Sequence, residues 1–173
     1  MQGIRLAIAV VAMSLSATAF AEPEAKGPFA KMKELAGEWE GKVTTAPSDP
    51  SVEGMRAEVT IRVTSRGHAV LHEMRMTGRP DDPITMFYVD GDRLLLTHYC
   101  DAGNRPRMVG KEGADGKTVQ FEFLDIAGST QHGHMHNAGF RSLSPDHHIE
   151  EWSYMAGDGK EHVRARFDLR RKK

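Results

Sequence analysis

The chain has 173 residues, with 23 Lys and Arg against 24 Asp and Glu, 39% hydrophobic residues, nine His and one Cys. A net charge of −1 excludes the strongly basic surface that tracks nucleic-acid phosphates or an anionic membrane. One cysteine, Cys100, excludes an internal disulfide.

Arg5 is the only charge before a run of apolar and small residues from Leu6 to Phe20. The run closes with Ala19-Phe20-Ala21, ahead of the polar Glu22-Pro23-Glu24. One positive charge, a short apolar stretch and a small-x-small site form the pattern of a secretory signal peptide. Ser14, Ser16 and Thr18 interrupt the run, which falls short of the roughly 20 apolar residues of a membrane span. Residues 1–21 are therefore expected to be cleaved, leaving an exported, periplasmic or secreted chain with no integral membrane segment. Residues 22–28 read as a polar leader, and 29–173 as a single domain of ordinary size.

Phe29, Met32 and Leu35 recur at helical spacing within Pro28 to Leu35, and Gly37 stops that short helix. The period then changes to two. Trp39, Gly41 and Val43 share one face of a first strand, and Thr44 to Gly54, rich in Pro, Ser and Asp, reads as a loop. Met55, Ala57, Val59, Ile61 and Val63 alternate with polar residues, which marks a half-buried second strand. Ser65-Arg66-Gly67 turns the chain into a third strand, Ala69 to Thr77. Asp90-Gly91, a tight-turn signal, joins Ile84 to Val89 with Arg93 to Cys100. Two further pairings follow in kind. Arg107 to Lys111 leads into Thr118 to Leu124, and His134 to Ser142 into His148 to Met155. A last strand runs from Val163 to Leu169, with Val163, Ala165, Phe167 and Leu169 on one face and Arg164, Arg166, Asp168 and Arg170 on the other. About ten short strands linked by turns, after one helix, predict an all-β, antiparallel up-and-down barrel, which leaves no open edge.

A short helix followed by Gly37-Glu38-Trp39-Glu40-Gly41 resembles the opening of the calycin superfamily, which holds lipocalins, fatty-acid-binding proteins and nitrobindin-like barrels. The stretch Met86 to Met108, with Leu96-Thr97-His98-Tyr99-Cys100 and Asn104-Arg105-Pro106-Arg107, is similar to an uncharacterised exported bacterial family of lipocalin-like proteins. So are His134-Met135-His136 and Glu151-Trp152. The resemblance implies a lipocalin-like barrel whose floor is closed by Trp39 under an arginine near the chain end, Arg166 or Arg170. It brings no established activity. Nitrobindin-like members bind haem through a late histidine. His162 lies in that region, but its flanking residues do not match, so haem is not carried over.

The residues that carry chemistry sit on two strands. Alternate strand residues share a face, so His98 and Cys100 would point inward with Leu94 and Leu96, and His134 and His136 with Ala138 and Phe140. With only two strands between them, the end of the first and the start of the second meet at one mouth, roughly 13 Å apart. Asn104 and Arg107 follow a loop that would roof this mouth, and Tyr154 joins them as a candidate ligand-binding residue. One reading is a barrel that binds a small amphipathic or planar ligand at a mouth lined by His and Cys. A second is a zinc or copper site built from His98, His134, His136 and Cys100. A third is a structural barrel with a satisfied polar cluster. His132, His147 and His148, beside turns, are read as exposed, and Trp152 as lying nearer the open end than Trp39. No motif marks catalysis, and Glu150 and Glu151 face opposite sides of their strand, so a non-enzymatic protein is expected. The identity of the ligand and the oligomeric state stay open.

Overall fold

The structure, a computed structural model, describes residues 26–173. The expected signal peptide 1–21 and the first part of the polar leader lie outside the described residues. One helix, α1 (Lys26–Glu34), precedes ten strands: β1 (Gly37–Ala46), β2 (Arg56–Thr64), β3 (Ala69–Met76), β4 (Ile84–Asp90), β5 (Arg93–Tyr99), β6 (Arg105–Glu112), β7 (Thr118–Ala127), β8 (His134–Ser144), β9 (His147–Met155) and β10 (Glu161–Arg171). Each strand pairs antiparallel with the next, and β10 pairs with β1, so the sheet closes into the expected up-and-down barrel. A closed sheet satisfies its backbone hydrogen bonds without an edge strand.

Two local departures from the expected elements have visible causes. β1 continues through Thr44 and Thr45, expected in the loop, because Arg166 and Ala165 of β10 lie opposite them. Val63 keeps the alternation of β2 yet is 42% exposed. Pairing with β1 ends at Gly37 opposite Ile61, so Val63 has lost the neighbour that would cover it.

α1 lays Phe29, Met32 and Leu35 into the core at one end of the barrel. Lys31 ties it to the Glu112 carboxylate and to the Gly116 carbonyl in the β6–β7 turn. That end is the floor. Trp39, 1% exposed, donates from its indole nitrogen to the Leu35 carbonyl at 2.8 Å, which locks the helix to β1.

The arginine over Trp39 is Arg171, and neither Arg166 nor Arg170 takes that place. Its guanidinium carbon lies 4.1 Å from the ring centroid. It also donates to the Ala36 carbonyl at 2.8 Å and to the Pro145 carbonyl at 3.0 and 3.1 Å. Trp39 and Arg171 are direct partners in the β1–β10 ladder. Arg166 and Arg170 fall on the outer face, where Arg166 pairs with Glu151 at 2.9 Å. The G-x-W spacing has a physical cause as well. Gly37 has φ +146°, and a Cβ there would collide with the Arg171 guanidinium. A side chain at Gly41 would strike the Asp168 carbonyl, so β1 and β10 close the barrel only with glycine there.

The interior is filled unevenly. Phe87, Phe121, Phe140 and Trp152 pack edge-on or tilted, with centroids 5.3–5.9 Å apart between contacting pairs, and close off the floor half. The mouth half is open.

Candidate functional site

A cavity of about 580 Å³ occupies the mouth half. Its walls come from inward positions of β1, β3, β5, β9 and β10: Val43 and Thr45, His72 to Met76, His98 and Cys100, Trp152 and Tyr154, and Val163 to Phe167. Its rim comes from the loops, with Asp49, Arg79, Asp81, Asp101, Ala102 and His132. The size and the mostly apolar walls are those of a small-molecule site.

Three of the expected site residues line this cavity: His98, Cys100 and Tyr154. The expected loop after Cys100 does reach the mouth, through Asp101 and Ala102. The ends of β5 and β8 also meet at the same end of the barrel, as strand order requires. His134 and His136, however, are not among the described lining residues. β8 carries a bulge: Met135 lies opposite Tyr154 and Asn137 opposite Ser153, so His136 is an extra residue. The bulge breaks the alternation and turns Met135 into the cavity instead. His134 and His136 pack against Phe123, each 4.9 Å from it, where the β7–β8 ladder ends at Glu122 and Asn137. His134 Nε2 lies 3.3 Å from His136 Nδ1. Burial, and then His136, push the His134 imidazole below its usual range.

Asn104 and Arg107 are also elsewhere. Asn104 is 1% exposed and donates to the carbonyls of Ser129 and Gly133 at 2.9 and 2.7 Å, which pins the β7–β8 loop. Arg107 makes a two-pronged pair with Asp125 at 2.7 and 2.5 Å on the outer wall. Among the described residues, no group of three or more His, Cys, Asp or Glu could hold a metal ion, so the expected zinc or copper set does not assemble. Burial pushes the Cys100 thiol up, against a lowering hydrogen bond from Ala102, and keeps it protonated.

The deepest polar groups were not foreseen. Glu150 on β9 is fully buried at the cavity base. His72 Nε2 lies 3.2 and 3.0 Å from its two oxygens, His148 Nε2 3.0 Å from Oε1, and the Trp152 indole nitrogen donates to Oε2 at 3.3 Å. Burial alone would raise this carboxyl, but the pull of His72 and the hydrogen bonds from His148 and His72 outweigh it and hold Glu150 below the carboxylate range. An ionised carboxylate only accepts, so both Nε2 atoms carry hydrogen. His148, read as exposed, is fully buried, edge-on to Trp39 at 4.2 Å. Trp152, 4% exposed, lines the mouth cavity, as Trp39 does not, and joins this network to the aromatic cluster.

His98 sits beside them, its ring centroid 5.1 Å from that of Trp152. Its Nδ1 is 2.8 Å from the Thr85 hydroxyl. Burial, with His72 second, pushes its pKa down to about 3, so the ring is neutral near neutral pH. His98 and His72 both line the cavity, and His98 Nε2 and His72 Nδ1 are buried atoms with no hydrogen-bond partner. The alternation of β9 was the available signal: placing Trp152 inward places Glu150 and His148 inward too. For His72, the signal was Val70, His72 and Met74 at every second position of β3.

Neither the scan against protein-family models nor the search of curated proteins returns a match. Among solved structures, Rv2717c from M. tuberculosis aligns with TM-score 0.62 and 13% identity, over 84% of this chain and 97% of that one. A protein of unknown function from the DUF3598 family of Nostoc punctiforme aligns with TM-score 0.56 and 11% identity, over 82% of this chain. This chain spans about half of that second protein, 49% of its length. At these identities the likeness is one of fold alone.

Proposed function

We propose that this chain is an exported member of the calycin superfamily that binds a small, mostly apolar molecule in its mouth cavity. His98 and His72 meet the ligand's polar group, and the protein acts by binding rather than by catalysis. One observation carries the reading: His98 and His72, each with a buried ring nitrogen that has no hydrogen-bond partner, are among the residues lining a cavity of about 580 Å³. Leaving a buried polar group unpaired costs roughly 1–3 kcal/mol, and a ligand hydroxyl, which can both donate and accept, removes that cost. Methionines 74, 76 and 135 supply adaptable apolar walls.

The test is native mass spectrometry on protein purified from the periplasm without denaturation. The expected result is a retained organic mass on the wild-type chain that is lost in His98→Ala, while circular dichroism shows the barrel intact. Wild-type protein with no bound mass and no uptake of apolar probes would overturn the reading.

A further inference from the structure

Unpartnered polar groups belong to residues at two heights of the cavity wall. Across β3, β4 and β5 the register sets His72 opposite Thr85 and Thr85 opposite His98, so both histidines stand at one level. His72 is held through Nε2 by Glu150, and His98 through Nδ1 by the Thr85 hydroxyl. That leaves His72 Nδ1 and His98 Nε2 buried without a partner. Met76, where β3 ends, is four residues further toward the mouth, about 13 Å at the rise of a strand. Met74, between them on the same strand, lines the cavity with an apolar group.

Arg79 stands beyond that end. Its backbone N–H donates to the Met76 carbonyl at 3.1 Å, closing a β-turn in which Gly78 takes φ +85°. The turn sets Arg79 on the rim, as the one Lys or Arg among the described lining residues. Its acidic neighbours are engaged elsewhere or fall short of it. Asp82 is gripped by Arg75 at 3.0 to 3.3 Å, and the Asp49 carboxylate accepts the Ser51 N–H at 2.9 Å. Asp49 and Asp81 are near enough to feel the Arg79 charge, yet among the described residues Arg79 forms no ion pair. Its Nε is buried with no hydrogen-bond partner.

A guanidinium only donates, so an acceptor must satisfy it, and an anionic one does so best. The planar fork of Nε and a terminal nitrogen matches a carboxylate, gripped by two parallel hydrogen bonds. Asp49, Asp81 and Asp101 share the rim, so the attraction is a contact at the fork and not a field that gathers anions. A singly charged carboxylate suits such a rim better than a doubly charged phosphate.

We infer that the cavity takes an elongated molecule with two polar ends: a carboxylate at Arg79 on the rim, a hydroxyl at His72 and His98 deeper in, and an apolar chain between. The ω-hydroxy acids are the simplest members of that class. This inference rests on the ligand-binding reading above and adds the second pole. A fatty acid leaves the two histidines unpaired, and a 1-alkanol leaves Arg79 unpaired, so each matches one end only.

Calorimetric titration of the full chain at pH 7.5 compares ω-hydroxy acids of eight, ten and twelve carbons with fatty acids and 1-alkanols of the same lengths. At the best-fitting length the hydroxy acid should bind at least tenfold tighter than either matched compound. Arg79→Gln, changed only at the rim, should weaken hydroxy acid and fatty acid by tenfold or more and leave the alkanol unchanged. His98→Ala should weaken hydroxy acid and alkanol while sparing the fatty acid. Hydroxy acids that bind no tighter than the better of their matched compounds, or that Arg79→Gln leaves unchanged, overturn the inference. Alkanol binding that is lost in His98→Ala would then keep the binding reading standing. If none of the three series binds, the inference falls, and the binding reading falls with it only where native mass spectrometry also finds no retained mass.

Discussion

Arg171 and His98 show how single residues set the limits of this molecule. Arg171 covers the Trp39 ring and donates to the backbone carbonyls of Ala36 and Pro145. A partly desolvated cation–π contact contributes about 1–2 kcal/mol, and each lost hydrogen bond about 1 kcal/mol. Arg171→Ala should therefore lower unfolding stability by roughly 2–4 kcal/mol, whereas Arg166→Ala, on the outer wall, should stay within about 0.5 kcal/mol. Urea midpoints of the two variants check this. The choice of Arg171 was legible, since the alternation that put Arg166 and Arg170 outside also puts Arg171 inside, two residues past the expected end of the strand. His98 governs acid sensitivity. Its folded pKa, about 3, lies below the ordinary 6.5, so below pH 6.5 the unfolded chain binds a proton that the folded chain refuses. Stability is then full above pH 6.5 and falls as pH drops toward 3, by up to about 1.4 kcal/mol per pH unit. Glu150, also depressed, adds its own loss only below the ordinary carboxylate value of 4.5. Thermal melts between pH 7.5 and 5 should show a falling midpoint for the wild type and a flatter profile for His98→Gln. Equal slopes in the two proteins would refute this role.

At the scale of elements, what the sequence revealed depended on whether a strand keeps its period. β2, β5, β9 and β10 carry no bulge through their buried stretches, and their cavity-lining and core-facing residues are where period two puts them. β8 does not. The step from Met135 to Asn137 against Tyr154 and Ser153 inserts one residue, and every side chain before it changes face. Nothing local in His134-Met135-His136 announces the bulge. Its cause is non-local: β7 leaves β8 after Glu122, and Phe123 takes the two imidazoles against its ring. The Glu150 network eluded the sequence for another reason. A carboxylate in a barrel interior is improbable until its partners are known, and His72 lies 78 residues away. The pairing that makes Glu150 tolerable exists only after the sheet has closed.

For the whole molecule, the expectation that most needs measurement concerns its start. The Ala19-Phe20-Ala21 site predicts that exported protein begins at Glu22. Intact-mass analysis of the secreted product should show the loss of residues 1–21, and a product that keeps them in the membrane fraction would argue against export. The described part contains no helix long and apolar enough to cross a membrane. Topology has one more consequence. Nine of the ten ladders join strands adjacent in sequence, and only β1 with β10 joins the two ends of the fold. Each neighbouring hairpin closes a short loop, at small entropic cost, while the seam must bring Trp39 and Arg171 together from opposite ends of the domain. The seam is thus the slow, late event, and until it forms β1 and β10 are both bare edges open to pairing with another chain. The Trp39–Arg171 contact lies on that seam, so the latch that stabilises the finished barrel also decides how long the unfinished one stays exposed to aggregation.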